Sequence, residues 1–375
     1  MPSPKVDCSQ WTELNDFSSY IRLLGSKTQY KKDSLEVCQS EICTAVYGTG
    51  NPDISGIGVV IGHVLEITFS VSLSLAIIAL KQSEKTSQWH RIVKTGLVAF
   101  VDSAAYFALS LQLATIAVLI RKDYGVSTAD LGAIEARISQ SVAVVSMMPL
   151  LYPIALLEPL TKTCPRDNVK HNSRLLLLSA TVALSFYPFL SRCIYAFSVS
   201  PIGNSEGSEV SSIDWSTIED MCFPQKYRHL GETMTYRSLN GLELTASLLV
   251  YLLSFWLLAG LPKMHSRLIE KTIVGQGIVG QGSEAEPSWR ERVNRWFSDR
   301  PVVAVVPLFV LVGLSVPLLW VIFTLRKVQE EMSESMRQEY AGNEWGFGQI
   351  VSIVLFIPVA VEMAYQWRFG LAYEQ

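Results

Sequence analysis

Acidic side chains lie inside the long apolar stretches of this chain, where a charge is expensive. A charge at the centre of a membrane helix costs at least about 2.5–3.5 kcal/mol on insertion scales. Burial also raises the pKa of a carboxyl group, so that a buried acid can hold a proton and donate it. The candidate catalytic residues are the four acids at such positions: Glu66, Asp102, Glu135 and Glu243.

Other polar residues, which could position a substrate or neutralise these acids, lie near them. They are Arg137, Arg192, Asn240 and Tyr106. Asn240 precedes Glu243 by three residues and so shares its helix face, and Tyr106 follows Asp102 by one turn. We expect the polar residues of the non-cytosolic half to converge on one cavity. Ion pairing between helices, without any chemistry, is the alternative.

Two arguments rank the acids differently. The arginines and Asn240 could hold the polar head of a substrate, which favours Glu135 and Glu243 as the proton donor. A nearby arginine, however, lowers the pKa of a carboxyl group and weakens it as an acid. Asp102 has no positive residue on its own helix face, and by this argument it would be the better donor. Both rankings stay open at this point.

Seven apolar stretches are long enough to cross a bilayer. A membrane-spanning helix needs about 20 predominantly apolar residues, and these stretches are apolar nearly all round. Hydrophobic residues make up 49% of the 375 residues and charged residues only 17%, against about 25% in soluble proteins. The sequence therefore predicts an all-α, polytopic membrane helix bundle with seven transmembrane helices. The stretches run over 54–80, 93–120, 130–157, 174–198, 237–260, 301–325 and 345–367.

The connections between these stretches alternate in charge. The basic connections 81–94, 158–174 and 261–300 fall on one side of the membrane, and the acid-rich connections 199–236 and 326–344 fall on the other. Basic loops stay in the cytosol. We therefore expect a lumenal N-terminus, a long lumenal loop at 199–236, a basic cytosolic loop at 261–300 and a cytosolic C-terminus.

The predicted domains are a lumenal N-terminal segment, 1–53, and a seven-helix membrane domain, 54–371. Four cysteines fall on the predicted lumenal side: Cys8, Cys38, Cys43 and Cys222. Disulfides persist in such compartments, so we expect at least one among these four, with three pairings possible. The protein is expected to be a multi-pass integral protein of the endoplasmic reticulum.

Soluble-enzyme motifs are missing from the sequence. It contains no HExxH, no CxxC pair and no Walker loop. It also lacks the DDxxD and NSE motifs that bind magnesium diphosphate. We therefore predict no metal site and no cofactor. A compact basic domain is missing too, which argues against nucleic acid as a partner.

Five segments resemble a fungal family of membrane proteins with seven or eight spans. The segments are NPDISGIGVVIG (51–62), VDSAAYFALSLQLATI (101–116), GAIEARISQSV (132–142), FLSRCIYAF (189–197) and GNEWGFGQIVSIVLF (342–356). This family includes the membrane-bound terpene cyclases of meroterpenoid pathways, such as those that act in ascofuranone, ascochlorin and macrophorin biosynthesis.

The resemblance implies a terpene cyclase of the isomerase or lyase type that works without a metal. It would protonate an epoxide or an alkene on a farnesyl chain already joined to an aromatic or polyketide head, in fungal secondary metabolism. The expected partners are a lipophilic prenylated substrate, which could enter sideways from the lipid bilayer, and the bilayer itself. The candidate residues above come from depth and charge, and not from the family.

Two readings compete with a cyclase, and both lack enzymatic activity. A seven-helix receptor would share the topology, but no DRY-like triplet follows the third stretch and no NPxxY-like motif lies in the seventh. A transporter would also carry acids and arginines within its spans. Inverted repeats would favour a transporter, and we detect none in the sequence.

Overall fold

The computed structural model of this protein is helical throughout its membrane-embedded part. The residues that it describes are 7–28, 37–81, 87–123, 126–127, 131–157, 165–197, 218–223, 241–255 and 301–369. The helices are α1 (Phe17–Thr28), α2 (Gln39–Tyr47), α3 (Ile57–Lys81), α4 (Ser87–Ile120), α5 (Gly132–Leu156), α6 (Pro165–Phe197), α7 (Gly241–Phe255), α8 (Pro301–Ser335), α9 (Phe347–Val354) and α10 (Ile357–Phe369).

Short elements connect these helices. Two-residue strands, Lys122–Asp123 and Val126–Ser127, pair antiparallel between α4 and α5. Single 3-10 turns cover Ser9–Trp11 and Ala341–Asn343. These elements lie at the ends of the long helices and leave the bundle purely α-helical.

Six segments of the described chain are long and apolar enough to cross a membrane. They are Ile57–Leu80, Gln88–Ile120, Gly132–Leu156, Asn172–Cys193, Val305–Ser335 and Ala341–Phe369. The prediction of an all-α, multi-pass membrane protein is thereby confirmed at this level. The fifth predicted span, 237–260, is described only over Gly241–Phe255, an apolar helix shorter than a span. The count of seven therefore stays a prediction.

Helix α5 is the central helix of the bundle. In its most apolar 18-residue stretch, 94% of the residues are buried. Helices α3, α4, α6 and α8 all pack against it. Pro153 has no N–H to donate, so the carbonyl of Pro149 loses its partner within the helix. The Ser70 hydroxyl of α3 donates to that carbonyl at 2.7 Å. Prolines in α5 are thus tolerated because a neighbouring helix supplies the missing hydrogen bond.

The N-terminal segment is fastened by two disulfides, Cys8–Cys38 and Cys43–Cys222. The expectation of at least one disulfide among these cysteines is confirmed, and the structure selects one of the three pairings. The second bridge joins α2 to the short helical turn at 218–222, where the Gln39 amide also donates to the carbonyl of Met221. Both bridges therefore lie at the same end of the bundle, beside the start of α5.

Close packing of α3 against α9 depends on two glycines. The Gly58 N–H donates to Gln349 Oε1 at 2.7 Å, and the Ser352 hydroxyl donates to the Gly58 carbonyl at 3.0 Å. One turn on, a Cβ built on Gly62 would lie 2.8 Å from the Cβ of Ser352. The spacing of Gly58 and Gly62 is the small-x-x-x-small pattern that permits close approach of membrane helices.

Replacing Gly62 with alanine is expected to destabilise the protein by about 1–3 kcal/mol, because the added methyl overpacks the α3–α9 contact. The measurement is thermal unfolding of the purified protein in detergent. Gly313→Ala on α8 is the matched control, since its Cβ would meet nothing within 4 Å. The control should be neutral or stabilising by up to about 1 kcal/mol. Equal losses for both variants would contradict the packing argument.

Candidate functional site

The structure gives the four candidate acids separate sets of partners. Glu66, Glu135 and Glu243 are all buried, whereas the side chain of Asp102 is partly exposed. Glu243 lies together with Arg137 and Arg192, as the sequence analysis proposed. The other three acids contact different residues. The sequence predicts that these polar groups converge on one cavity. The described contacts instead place them in distinct clusters.

Glu243 is held by two arginines. Its Oε2 lies 3.1 Å from Arg137 Nη2 and 3.3 Å from Arg192 Nη2, and the Ser141 hydroxyl donates to its Oε1 at 2.8 Å. This cluster ties α5, α6 and α7 together. To act as an acid, Glu243 would first have to be protonated, which would break both ion pairs. The geometry thus favours the structural alternative for this residue.

Asp102 forms a bidentate ion pair with Arg174. The Arg174 Nε and Nη2 atoms donate to the two carboxylate oxygens at 2.6 and 2.8 Å. The argument that favoured Asp102 considered only its own helix, and it is wrong because the cation comes from α6. Tyr106, one turn further along α4, is 65% exposed. It therefore lies on the outer surface of the bundle and offers no support for an Asp–Tyr donor pair.

Glu135 joins the first turn of α5 to the loop before α3. Its Oε1 accepts from the Ser55 hydroxyl at 2.5 Å and from the backbone N–H of Asn51 at 2.9 Å. The amide of Gln329, on α8, is oriented so that its oxygen accepts from the Gly50 N–H and its nitrogen donates to Glu135 Oε1, both at 3.0 Å. Oε2 has no hydrogen-bond partner among the described residues. Glu135 is thus the hub of a contact between three parts of the chain.

Tyr340 lies close to Glu135 and completes this cluster. Burial raises the pKa of the Tyr340 phenol, and the nearby charge of Glu135 adds to that rise. The phenol is therefore protonated at neutral pH. These links make Glu135 the second choice for a proton donor, because several neighbours already bond its carboxyl group.

Glu66 is the acid with the fewest partners. Its Oε2 lies 3.4 Å from His63 Nδ1, and both side chains are 0% exposed. Glu66 Oε1 and His63 Nε2 have no hydrogen-bond partner, and no arginine or lysine pairs with Glu66, among the residues that the structure describes. The ring of Phe107 lies 6.0 Å from that of His63. Glu135 shares the feature of one unbonded oxygen, and Glu66 differs from it because its other oxygen contacts only His63 among the described residues.

His63 was not among the predicted site residues. Its three-residue spacing from Glu66 on an apolar helix was the signal that could have found it. Asn240, a predicted substrate-binding residue, lies outside the described residues. Arg137 and Arg192 contact Glu243 among the described residues, and their predicted role toward a substrate head stays a prediction.

An apolar crevice begins beside Glu66 along α3. Its two inner hydroxyls are used internally: that of Ser70 by the Pro149 carbonyl, and that of Ser315 by the Val312 carbonyl. The surface that remains is apolar. The lining comes from α3, α5 and α8: Ile67, Ser70, Val71, Met148, Pro149, Leu308, Leu311, Val312 and Ser315.

Aromatic rings surround the same stretch of α3. Phe69, one turn after Glu66, stacks on Phe356 at a centroid distance of 5.4 Å, and Phe356 stacks on Phe100 at 6.3 Å. Phe356 lies at the break between α9 and α10. Aromatic faces stabilise a desolvated cation by roughly 0.5–2 kcal/mol. A carboxyl, an apolar crevice and aromatic rings are therefore found along one span.

No group of three or more histidine, cysteine, aspartate and glutamate side chains suited to a metal occurs in the described part of the chain. No protein-family model, curated protein or solved structure matches this sequence. The function is therefore argued from the geometry around Glu66.

Proposed function

We propose that this protein is an integral membrane terpene cyclase in which Glu66 starts the reaction by donating a proton. The observation that carries the proposal is the buried Glu66 carboxyl: among the described residues, its Oε1 has no hydrogen-bond partner and no arginine or lysine pairs with it. Its substrate is a farnesyl chain joined to an aromatic or polyketide head. The resemblance of five segments to membrane-bound terpene cyclases supports the same activity.

The reaction proceeds by proton transfer and carbon–carbon bond formation. Glu66 gives its proton to the terminal epoxide oxygen, or to the terminal alkene, and a carbocation develops on the chain. The next alkene attacks this cation and closes the ring. Loss of a proton from the final cation then gives a product with the mass of the substrate. No metal or cofactor enters this scheme.

The residues around Glu66 have supporting roles in this scheme. His63 contacts the carboxyl and orients it. The rings of Phe69 and Phe356 stabilise the cation. The apolar chain of the substrate enters sideways from the bilayer. Arg137 and Arg192 act through Glu243 to hold α5, α6 and α7 together.

The orientation and compartment belong to this proposal as well. We place the disulfide-linked end in the lumen of the endoplasmic reticulum, because disulfides persist there and the sequence predicts the basic connections on the opposite side of the membrane. The C-terminus is then cytosolic.

An Asn-x-Ser/Thr acceptor engineered near residue 20 is expected to be glycosylated in full-length protein. The native sequence has no such acceptor, so any glycan reports the new site. The measurement is a mobility shift that glycosidase removes. An acceptor placed at 283, which lies outside the described residues, should stay unmodified and serves as the matched control. Modification at 283 alone would reverse the topology.

A proton-coupled transporter is the second candidate. The last membrane segment is interrupted between Val354 and Ile357, and discontinuous helices line many transport sites. A buried histidine–glutamate pair also suits a proton relay.

An activity assay separates these candidates. Membranes containing the full-length protein are incubated with a farnesylated phenol that carries a terminal epoxide, and the products are analysed by mass spectrometry. We expect a new product of unchanged mass, which membranes without the protein do not form. Uptake of a solute without any such product would favour the transporter.

A further inference from the structure

Four polar side chains form a line along the apolar helix α3: His63, Glu66, Ser70 and Ser74. All four are buried. Their spacing of three, four and four residues keeps them on one helix face, and the line covers about 16 Å of the helix axis. We call these residues the α3 polar row. The row begins at the His63–Glu66 pair and runs toward Lys81, away from the disulfide-linked end.

Three of these side chains carry a buried polar atom without a partner. The atoms are His63 Nε2, Glu66 Oε1 and Ser74 Oγ, judged against the residues that the structure describes. An unsatisfied buried polar group costs about 1–3 kcal/mol. Such groups in protein interiors are usually satisfied by ordered water, which makes about three hydrogen bonds. Three such atoms on one helix face therefore indicate sites for water.

Ser70 connects the two ends of the row. Its hydroxyl hydrogen is committed to the Pro149 carbonyl, but its oxygen still has lone pairs that can accept a hydrogen bond. Ser74 lies about 10 Å along the axis from Lys81, the last residue of the helix. Waters beside Ser70 and Ser74 would extend from Glu66 toward the helix end that carries Lys81.

We propose that the α3 polar row binds a chain of water molecules that exchanges the proton of Glu66 with solvent at the Lys81 end of α3. The proton moves from solvent to a water at Ser74, then past Ser70 to Glu66 Oε1, and an equivalent proton moves the other way during exchange. This inference deepens the proposed function and rests on it, because it assigns the supply of the catalytic proton. Ser74 is accordingly a positioning residue that touches neither substrate nor the reacting atoms.

The test compares two variants of equal shape at one position. Ser74→Val removes the hydroxyl and fills the space of a water, whereas Ser74→Thr adds the same volume and keeps the hydroxyl. Infrared spectroscopy of the purified protein follows the shift of the protonated-carboxyl band after transfer into D2O, and Glu66→Gln identifies the Glu66 band. Since loss of one hydroxyl contact costs about 1–3 kcal/mol, exchange in Ser74→Val should be slower by about tenfold or more.

The control variants make the outcome decisive. Ser74→Thr should exchange at nearly the wild-type rate. So should Ser315→Val on α8, where the hydroxyl bonds its own helix at Val312. Thermal unfolding of each variant checks that it is folded. Equal exchange in Ser74→Val and Ser74→Thr would overturn the proposal, and so would the absence of a Glu66 band.

The experiment uses no substrate, so its result is independent of the activity assay. Slow exchange in Ser74→Val together with no cyclised product would support the water chain and contradict the cyclase proposal. Cyclised product together with equal exchange in Ser74→Val and Ser74→Thr would support the cyclase proposal and contradict the water chain.

Discussion

Replacing Glu66 with glutamine is expected to lower the rate of cyclisation by about 100-fold or more, the usual effect of losing a general acid. Glutamine has nearly the same size as glutamate, so the packing of α3 should survive while the transferable proton is lost. The measurement is the initial rate of product formation by membranes that contain equal amounts of wild-type and variant protein.

Asp102→Asn and Glu135→Gln are the comparison variants. Asp102 is already paired with Arg174, and Glu135 accepts hydrogen bonds from Ser55 and the backbone of Asn51. Variants at both positions should retain activity within a few-fold of wild type, after correction for the amount of folded protein. A near-normal rate for Glu66→Gln would remove Glu66 as the acid. A large loss in Glu135→Gln alone would transfer the role to Glu135.

Replacing Glu243 with glutamine is expected to destabilise the protein by about 3–5 kcal/mol, because it leaves two buried arginines without the carboxylate that they share. The Arg137 and Arg192 contacts at 3.1 and 3.3 Å both end on the same oxygen, Oε2. The loss would appear as a marked fall in the unfolding temperature of the purified protein.

Glu331→Gln is the matched control for this prediction. Glu331 pairs with Lys327 at 3.8 Å on α8, where the two side chains are 24% and 68% exposed. Exposed pairs contribute about 0–1 kcal/mol, so this variant should unfold close to the wild-type temperature. If Glu243→Gln were equally harmless, the cluster of Arg137, Arg192 and Glu243 would not hold the helices together.

Membrane helices and disulfides were predictable from the sequence because each follows from a local property. Length and apolarity are enough to predict most of the spans, and the side of the membrane predicts where cysteines pair. The pairing of Cys43 with Cys222 was not predictable, because it joins residues 179 apart. The first residues of the fifth predicted span, 237–260, are polar and resemble a loop. The sequence alone therefore does not fix where this helix begins.

The identity of the free acid was the least predictable feature. Asp102 looked unpaired on its own helix, but Arg174 lies 72 residues away in sequence and reaches it from α6. Arg137 and Glu243 are 106 residues apart and were correctly placed together, because both lie at a similar depth. The choice of Glu66 as the proposed donor depends on the partners of all four acids, which are not evident from the sequence alone.

The most direct test of the central claim is conversion of substrate by the purified, full-length protein in lipid nanodiscs. The substrate is a farnesylated phenol with a terminal epoxide, and the readout is mass spectrometry with a chelator present. The account predicts a cyclised product of unchanged mass from the wild-type protein and almost none from Glu66→Gln. Unaltered substrate with the folded wild-type protein, or equal conversion by both proteins, would contradict it.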